Sequence, residues 1–405
     1  MTNVVDVDDF PLMVSVDDHV VEPPTLWTDR IASRFRDEVP HVVRELVPSL
    51  IKPGTERWAD VWYYGSARVE THRGFAAVGF DSEAVEGEAM TFDEMRPGCY
   101  EVSARLSDMD ADGVEASVCF PNALVRFCGQ RFLEAENREV ALLCLRAYND
   151  WLIEEWSGPS EGRLLGAGII PLWDAELAAD EVRRIAAQGC TSVCFSEIPA
   201  RLGLPSMYGG YWDPFFAACA ETDTVINQHI GSSSVVHTTS SDAPLGVRVS
   251  NHFGNSAFSL TDWLISGAFV RFPNLRVAFS EGQAGWIPYL LSRLDSLWRT
   301  GAPVIGFDAL PEPPSHYLPG HVFACIFDDP IAIELLPLMD ENGICFETDY
   351  PHNDSSWPDS KEAARRMTAG LSKELREKIL RLNGARLYRV ERVLREPALG
   401  QLSSL

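Results

Sequence analysis

The chain predicts a closed (β/α)8 barrel, the TIM-barrel architecture, on three observations. Short apolar runs alternate with helical stretches eight times along the 405 residues. That alternation calls for a parallel sheet covered by helices. The first and the last of these runs both end in Asp, His and Glu: Val-Ser-Val-Asp17-Asp18-His19-Val-Val-Glu22-Pro23 and Ile-Cys-Phe-Glu347-Thr348-Asp349-Tyr350-Pro351-His352. A fold that brings first and last strands together is a barrel. No glycine-rich phosphate fingerprint follows the first run, which weighs against an open, doubly wound sheet.

After the first strand, residues 25–100 lack sustained periodicity and are rich in Pro, Trp, Tyr and Arg. They read as an irregular insertion over the barrel mouth, turning at Thr71–Phe75 and Met95–Cys99. Trp27, Trp62 and Tyr63 are candidates for an aromatic lid there. Regular alternation starts at Gly113–Pro121, a strand closed by proline. Phe132–Trp156 is helical, Leu164–Leu172 a strand, Ala175–Gln188 a helix ended by Gly189, and Thr191–Ile198 the next strand. Trp212–Glu221 is a helix and Thr224–His229 the fifth strand. Phe258–Phe272 is an apolar helix, Leu275–Glu281 a strand and Trp286–Trp298 a helix. A proline-rich loop over 302–319 leads to Val322–Phe327, a helix over Ile331–Met339 and the eighth strand, Ile344–Asp349. Helices at about 361–395 finish a single domain spanning 1–405.

Composition narrows the function. A net charge of −25 and a pI near 4.7 argue against nucleic acid, whose condensed counterions such a surface does not replace. No run of about 18 apolar residues occurs, so no membrane span is expected. The acidic start, Met1 to Phe10, is unlike the basic start of a secretory signal. Nine cysteines form no Cys-x-x-Cys pair and sit mostly in apolar runs. They read as reduced core residues of a cytoplasmic protein.

Chemistry in such a barrel belongs at the C-terminal ends of its strands. Those ends carry Asp17, His19 and Glu22 (first), Glu197 (fourth), His229 (fifth), Glu281 (sixth), and Asp349 with His352 (eighth). Asp17 and His19 are two apart and share a strand face, as two ligands of one ion require. Each residue also has a plainer reading. Asp17 and Glu22 can serve as caps or loop carboxylates, His229 as a core histidine, and His352 as a donor to a backbone carbonyl. Glu197 reads as structural or as a substrate contact. His252, on the connection after the fifth strand, is a further catalytic candidate beside Glu281 and Asp349. The other five histidines lie off strand ends.

Together these ends resemble the amidohydrolase-related (amidohydrolase 2) family, whose members include aminocarboxymuconate semialdehyde and resorcylate decarboxylases. The likeness rests on Asp17-Asp18-His19-Val-Val-Glu22-Pro23, Arg105-Leu-Ser-Asp-Met109-Asp-Ala-Asp-Gly113-Val, Asn227-Gln-His229-Ile-Gly231, Arg271-Phe-Pro-Asn-Leu-Arg276-Val and Asp349-Tyr-Pro-His352. It implies a barrel of the metal-dependent hydrolase type holding a divalent ion, with ligands mapping to Asp17, His19, His229 and Asp349. Glu22 and His352 are further metal candidates, and no organic cofactor is expected. One departure stands out: where the family's decarboxylases place a histidine after the sixth strand, this chain has Ser280-Glu281-Gly282. A glutamate is normally an anion at pH 7 and donates a proton only if burial raises its pKa.

Mixed imidazole and carboxylate ligands suit Zn, Mn or Fe, and the donor set exceeds the three protein ligands of a catalytic zinc, so one or two ions are open. The leading expectation is metal-assisted hydrolysis or non-oxidative decarboxylation of a small organic acid or amide. A dinuclear Fe or Mn hydroxylase on the same barrel is the second reading. A non-catalytic partner subunit, in a homo- or hetero-oligomer of related barrels, is the third.

Overall fold

A computed structural model describes residues 10–80, 87–235, 237–301 and 303–395. Eleven strands occur among them: β1 (Met13–Val20), β2 (His41–Pro48), β3 (Glu56–Tyr64), β4 (Ala67–Glu70), β5 (Val114–Pro121), β6 (Leu164–Ile169), β7 (Ser192–Cys194), β8 (Val225–His229), β9 (Val277–Ser280), β10 (Val322–Ile326) and β11 (Ile344–Phe346). Eight close into a parallel barrel in the order β1-β11-β10-β9-β8-β7-β6-β5. The alternation of apolar strand and helix predicted this closure. Parallel strands covered by helices are buried on both faces. Every residue of β1, β5 and β8 is accordingly buried.

The seam between first and last strands is short. One register pair, Ser15 with Phe346, joins β1 to β11. Beyond it the chains remain bonded: Asp349 N–H donates to Asp17 O (2.9 Å) and His19 N–H to Tyr350 O (2.6 Å). Asp18 clasps the seam from its side chain. Its Oδ1 accepts from Ser15 Oγ (3.0 Å), Thr348 Oγ1 (2.6 Å) and Tyr350 N–H (2.9 Å), and its Oδ2 from Ser117 Oγ. Three barrel strands thus converge on one buried carboxylate. A register shift between Ser15 and Asp18 relative to β5 marks a β-bulge, a device that re-aims side chains beside active sites.

The 25–100 insertion is irregular only in part. From His41 to Glu70 it carries the antiparallel sheet β2-β3-β4, turning through Lys52–Thr55 and Gly65–Ser66, while its other described residues include short helical turns, two of them at Arg73–Phe75 and Pro97–Cys99. Its alternation was masked because β3 buries a continuous run, Ala59 to Trp62. The aromatic lid is also corrected: Trp27 and Trp62 are fully buried and pack edge to face at 5.4 Å, and Trp27 Nε1 donates to Cys144 O. They join the insertion to the main hydrophobic core. Tyr63 stacks on His41 and bonds Glu45, within the sheet.

The expected helix over Phe132–Trp156 begins as two pieces, Gln130–Leu133 and Arg138–Trp151, and Phe258–Phe272 likewise divides into Phe253–Ile265 and Ala268–Arg271. Helices from Ser360 to Leu394 close the described chain, and Tyr388 Oη from this segment bonds Asn227 Oδ1 on β8 (2.7 Å). Among the described residues no helix is long and apolar enough to cross a membrane.

Candidate metal centre

Strand ends set the site. Asp17 and His19 come from β1, His229 ends β8, and Asp349 and His352 follow β11; all five are buried. Two groups of donor atoms form, Asp17–His19–His229 and His19–Asp349–His352, each within 4.8 Å. His19 Nε2 and His229 Nε2 face each other at 3.1 Å. Asp17 lies 3.6 Å from the first through Oδ1 and 3.5 Å from the second through Oδ2. Asp349 Oδ1 is 3.4 Å from His19 Nε2 and 2.9 Å from His352 Nδ1.

The donor set fits a cation. The Nδ1 atoms of His19 and His229 abut the carbonyl oxygens of Pro121 (3.2 Å) and Ile230 (2.7 Å). A carbonyl only accepts, so each Nδ1 carries the proton and each Nε2 presents a lone pair. Burial, reinforced by His352, pushes His19 down to about 4, and burial with His19 beside it holds His229 well below its usual value. Both rings are therefore neutral at pH 7. Two lone pairs 3.1 Å apart, flanked by carboxylates, face one another with no proton between them. Both oxygens of Asp17 are buried and accept no hydrogen bond. Unpaired buried acceptors are costly, and a divalent ion satisfies all of them at once.

Further carboxylates crowd this group. Glu281 Oε2 is 3.6 Å from His229 Nε2 on a side chain still 20 % exposed. Burial, then the charges of Asp349 and Glu347, raise Glu281 well above the usual range. Asp17 is raised by burial and by Glu347, Glu281 and Asp349. Burial also opposes the charge of Asp349, but His352, 2.9 Å from its Oδ1, outweighs it and holds that carboxyl low. Glu281, Gln283 and Asp349 adopt left-handed backbone conformations, with φ of 57°, 53° and 51°. Such outliers among larger side chains cluster at functional sites.

Two sequence candidates lie elsewhere. Glu22 is not brought to the group: its oxygens accept backbone N–H groups of Asn122 (3.1 Å), Leu124 (3.5 Å) and Val125 (3.3 Å). Its lone pairs are committed to the loop after β5. His252 stands half-buried at the N-terminal end of the helix Phe253–Ile265 and belongs to neither donor group. The long connection after β8 carries it past the strand end. Glu197 also turns inward, accepting from Gly231 N, Ser233 N, Ser233 Oγ and Asn255 Nδ2. It orders the loop after His229.

Two neighbours of the group were missed. Glu347, fully buried, accepts from Glu281 N–H (3.2 Å), leaves Oε1 unpartnered and is pushed up to about 8 by burial. It stands two residues before Asp349, the same i, i+2 relation that links Asp17 and His19. Phe127 stacks on His229 at 4.1 Å, and no sequence signal marks it.

The amidohydrolase family model matches residues 50–390. The chain belongs to the amidohydrolase family. It is an enzyme, a hydrolase or a carboxy-lyase. Among solved structures, an amidohydrolase from Mycobacterium avium subsp. paratuberculosis K-10 shares 21 % identity at a TM-score of 0.69, covering 96 % of this chain and 99 % of that one. The 5-carboxyvanillate decarboxylase of Novosphingobium aromaticivorans, crystallised with manganese, shares 16 % at 0.65, covering 94 % and 98 %. A dihydroxybenzoic acid decarboxylase from Polaromonas sp. JS666, also with manganese, shares 16 % at 0.62, covering 94 % and 98 %. At these identities the likeness is one of fold. A comparison with curated proteins found no match.

Proposed function

We propose that this family member is a metal-dependent enzyme that hydrolyses or non-oxidatively decarboxylates a small organic acid or amide. The observation that carries the reading is the pair of Nε2 lone pairs at 3.1 Å between the carboxylates of Asp17 and Asp349. Asp17, His19, His229 and Asp349 would hold the ion, with His352 orienting Asp349 through its 2.9 Å contact. A bound Zn, Mn or Fe ion supplies Lewis acidity, polarising a carbonyl or carboxylate oxygen or acidifying water.

The chain's own residues then handle the proton. Loss of CO2 needs a proton delivered to the carbon it leaves, and hydrolysis needs one removed from water. We assign either task to Glu281, which lies beside His229 on a side chain still 20 % exposed. Asp349 is the second candidate, though its 2.9 Å contact with His352 suits it better to holding charge. Two manganese-containing decarboxylases of the same fold support the carboxy-lyase branch and a small-acid substrate.

The test is metal analysis of anaerobically purified protein, followed by turnover of a panel of small acids and amides with and without chelation. One bound divalent ion and activity lost on chelation support the reading. Absence of any divalent metal, or activity indifferent to chelation, overturns it. The two donor groups sharing His19, with Glu281 and Glu347 beside them, favour a dinuclear Fe or Mn oxygenase as the second reading. Two ions per chain with oxygen uptake would select it, and a single zinc would eliminate it.

A further inference from the structure

Phe127 lies against the candidate metal group without offering a ligand. Its ring is stacked on His229, at 4.1 Å and 16° between planes. It meets His19 edge-on at 5.5 Å and His352 at 6.1 Å. One side chain therefore touches three imidazoles from three strand ends. It is also only partly buried, whereas His19 and His229 are sealed. The ring covers one face of His229.

Its position is imposed from both sides. On one side, Glu22 collects the N–H groups of Asn122, Leu124 and Val125 and fixes the start of the loop after β5. Arg126 then takes a left-handed conformation (φ 62°), which turns Phe127 toward the barrel axis side of the loop. On the other side, the segment after His229 grips the same loop. Arg126 Nη2 donates to Ser234 Oγ (2.6 Å), Gln130 Nε2 to Ser232 O (2.9 Å), and Cys128 Sγ to Ser232 O (3.5 Å). Gly231 leaves the space the ring needs: a Cβ there would meet Phe127 at 3.3 Å.

An imidazole held only by Nδ1–H···O=C can still swing about that bond. Its metal-facing nitrogen is fixed when a second contact blocks the swing, and stacking does this without competing for the lone pair. Resting on the metal reading above, we propose that Phe127 is a positioning residue for His229 that also keeps water off that ring, and that Glu22 acts through it by fixing its loop. This gives the first-strand glutamate a role toward the ion without being a ligand.

The experiment uses the full chain, stripped of metal and titrated with Mn2+, comparing Phe127→Ala, Phe127→Leu, Phe127→Tyr and Glu22→Gln. The readouts are Mn2+ affinity by electron paramagnetic resonance and water-proton relaxation per bound ion, which counts exchanging water. Circular dichroism checks folding. Loss of an outer-shell partner of a metal ligand typically costs about 10- to 100-fold in affinity. Phe127→Ala is expected to weaken Mn2+ binding about 10-fold and raise relaxation per ion. Phe127→Tyr keeps the ring and restores both; Phe127→Leu keeps bulk without a face and restores neither fully. Glu22→Gln places an amide against the loop N–H groups, so it should shift both readouts the same way. Combined with Phe127→Ala it should add nothing. A folded Phe127→Ala, or a folded Phe127→Leu if the alanine variant fails to fold, with wild-type affinity and relaxation overturns the positioning role. Strict additivity of the two substitutions overturns the link from Glu22. If the wild-type chain binds neither Mn2+ nor Zn2+, the metal reading itself falls, and this inference with it.

Discussion

Replacing Asp18 with alanine tests whether the seam between first and last strands builds the metal group. Asp18 is 1 % exposed and accepts four hydrogen bonds, from Ser15, Ser117, Thr348 and Tyr350. Alanine removes all four acceptor contacts. Ser15 Oγ retains an acceptor in Asp17 O (3.2 Å), Thr348 Oγ1 in Ser15 Oγ (3.1 Å) and Ser117 Oγ a weak one in Cys119 Sγ (3.4 Å), so the Tyr350 N–H alone is left without a partner. A buried donor left unsatisfied costs about 1–3 kcal/mol. Relief of the buried charge offsets part of this, since burial already raises Asp18 above the usual carboxylate range. The net loss expected, from one unsatisfied N–H and three weakened hydroxyl bonds, is about 2–3 kcal/mol. Asparagine keeps one acceptor oxygen and turns its amide toward Ser117 Oγ, which can accept; it should cost about 1–2 kcal/mol. The assay is urea denaturation of the metal-free chain at neutral pH, followed by tryptophan fluorescence. Because Asp18 lies between Asp17 and His19 and bonds the chain leading to Asp349, Mn2+ affinity should fall with stability although Asp18 is no ligand. An alanine variant within 1 kcal/mol of wild type, with unchanged affinity, refutes the clasp.

Three further outcomes are expected. Asp17→Asn should abolish Mn2+ stabilisation, which at 1,000-fold excess over Kd is about 4 kcal/mol by linkage, while leaving the metal-free chain as stable as wild type or more so, because it removes a carboxylate that burial and Glu347 oppose; differential scanning calorimetry with and without metal checks both. Asp112, raised to about 6 by burial, binds its proton more tightly in the folded chain than in the unfolded one. Stability should therefore fall as pH rises from about 4 to about 6, by of order 2 kcal/mol, and Asp112→Asn, which still accepts from Ser360 N–H, should flatten that slope in denaturation midpoints. Gly384→Ala would bring a methyl within 2.8 Å of Val16 and 3.1 Å of Val14, so it should destabilise by about 1–3 kcal/mol in thermal melts.

Much of the barrel was legible because its signals are local. An apolar run such as Val277–Phe279 announces a buried strand, and the polar residues at its end, Ser280 and Glu281, announce the mouth. The insertion was illegible because β3 alternates only weakly: aromatic residues fill positions on both faces, and the pattern that separates inside from outside disappears. His252 follows the fifth strand in sequence and stands at the start of the next helix, in neither donor group; periodicity does not show where a long connection leaves such a residue.

The sequence by itself determined the class of fold, the strand ends and the kinds of donor atoms on them, since these follow from periodicity and residue chemistry. Only the tertiary structure decided which donors meet. Asp17 and Asp349 lie 332 positions apart, and their contact depends on a seam held by Asp18 rather than by any pattern within either segment. Glu22 shows the same limit from the other direction. Its residue type and strand-end position allow a metal ligand, yet three backbone N–H groups of another loop claim its oxygens first. A carboxylate binds whichever cation or donor reaches it, and packing decides which one does.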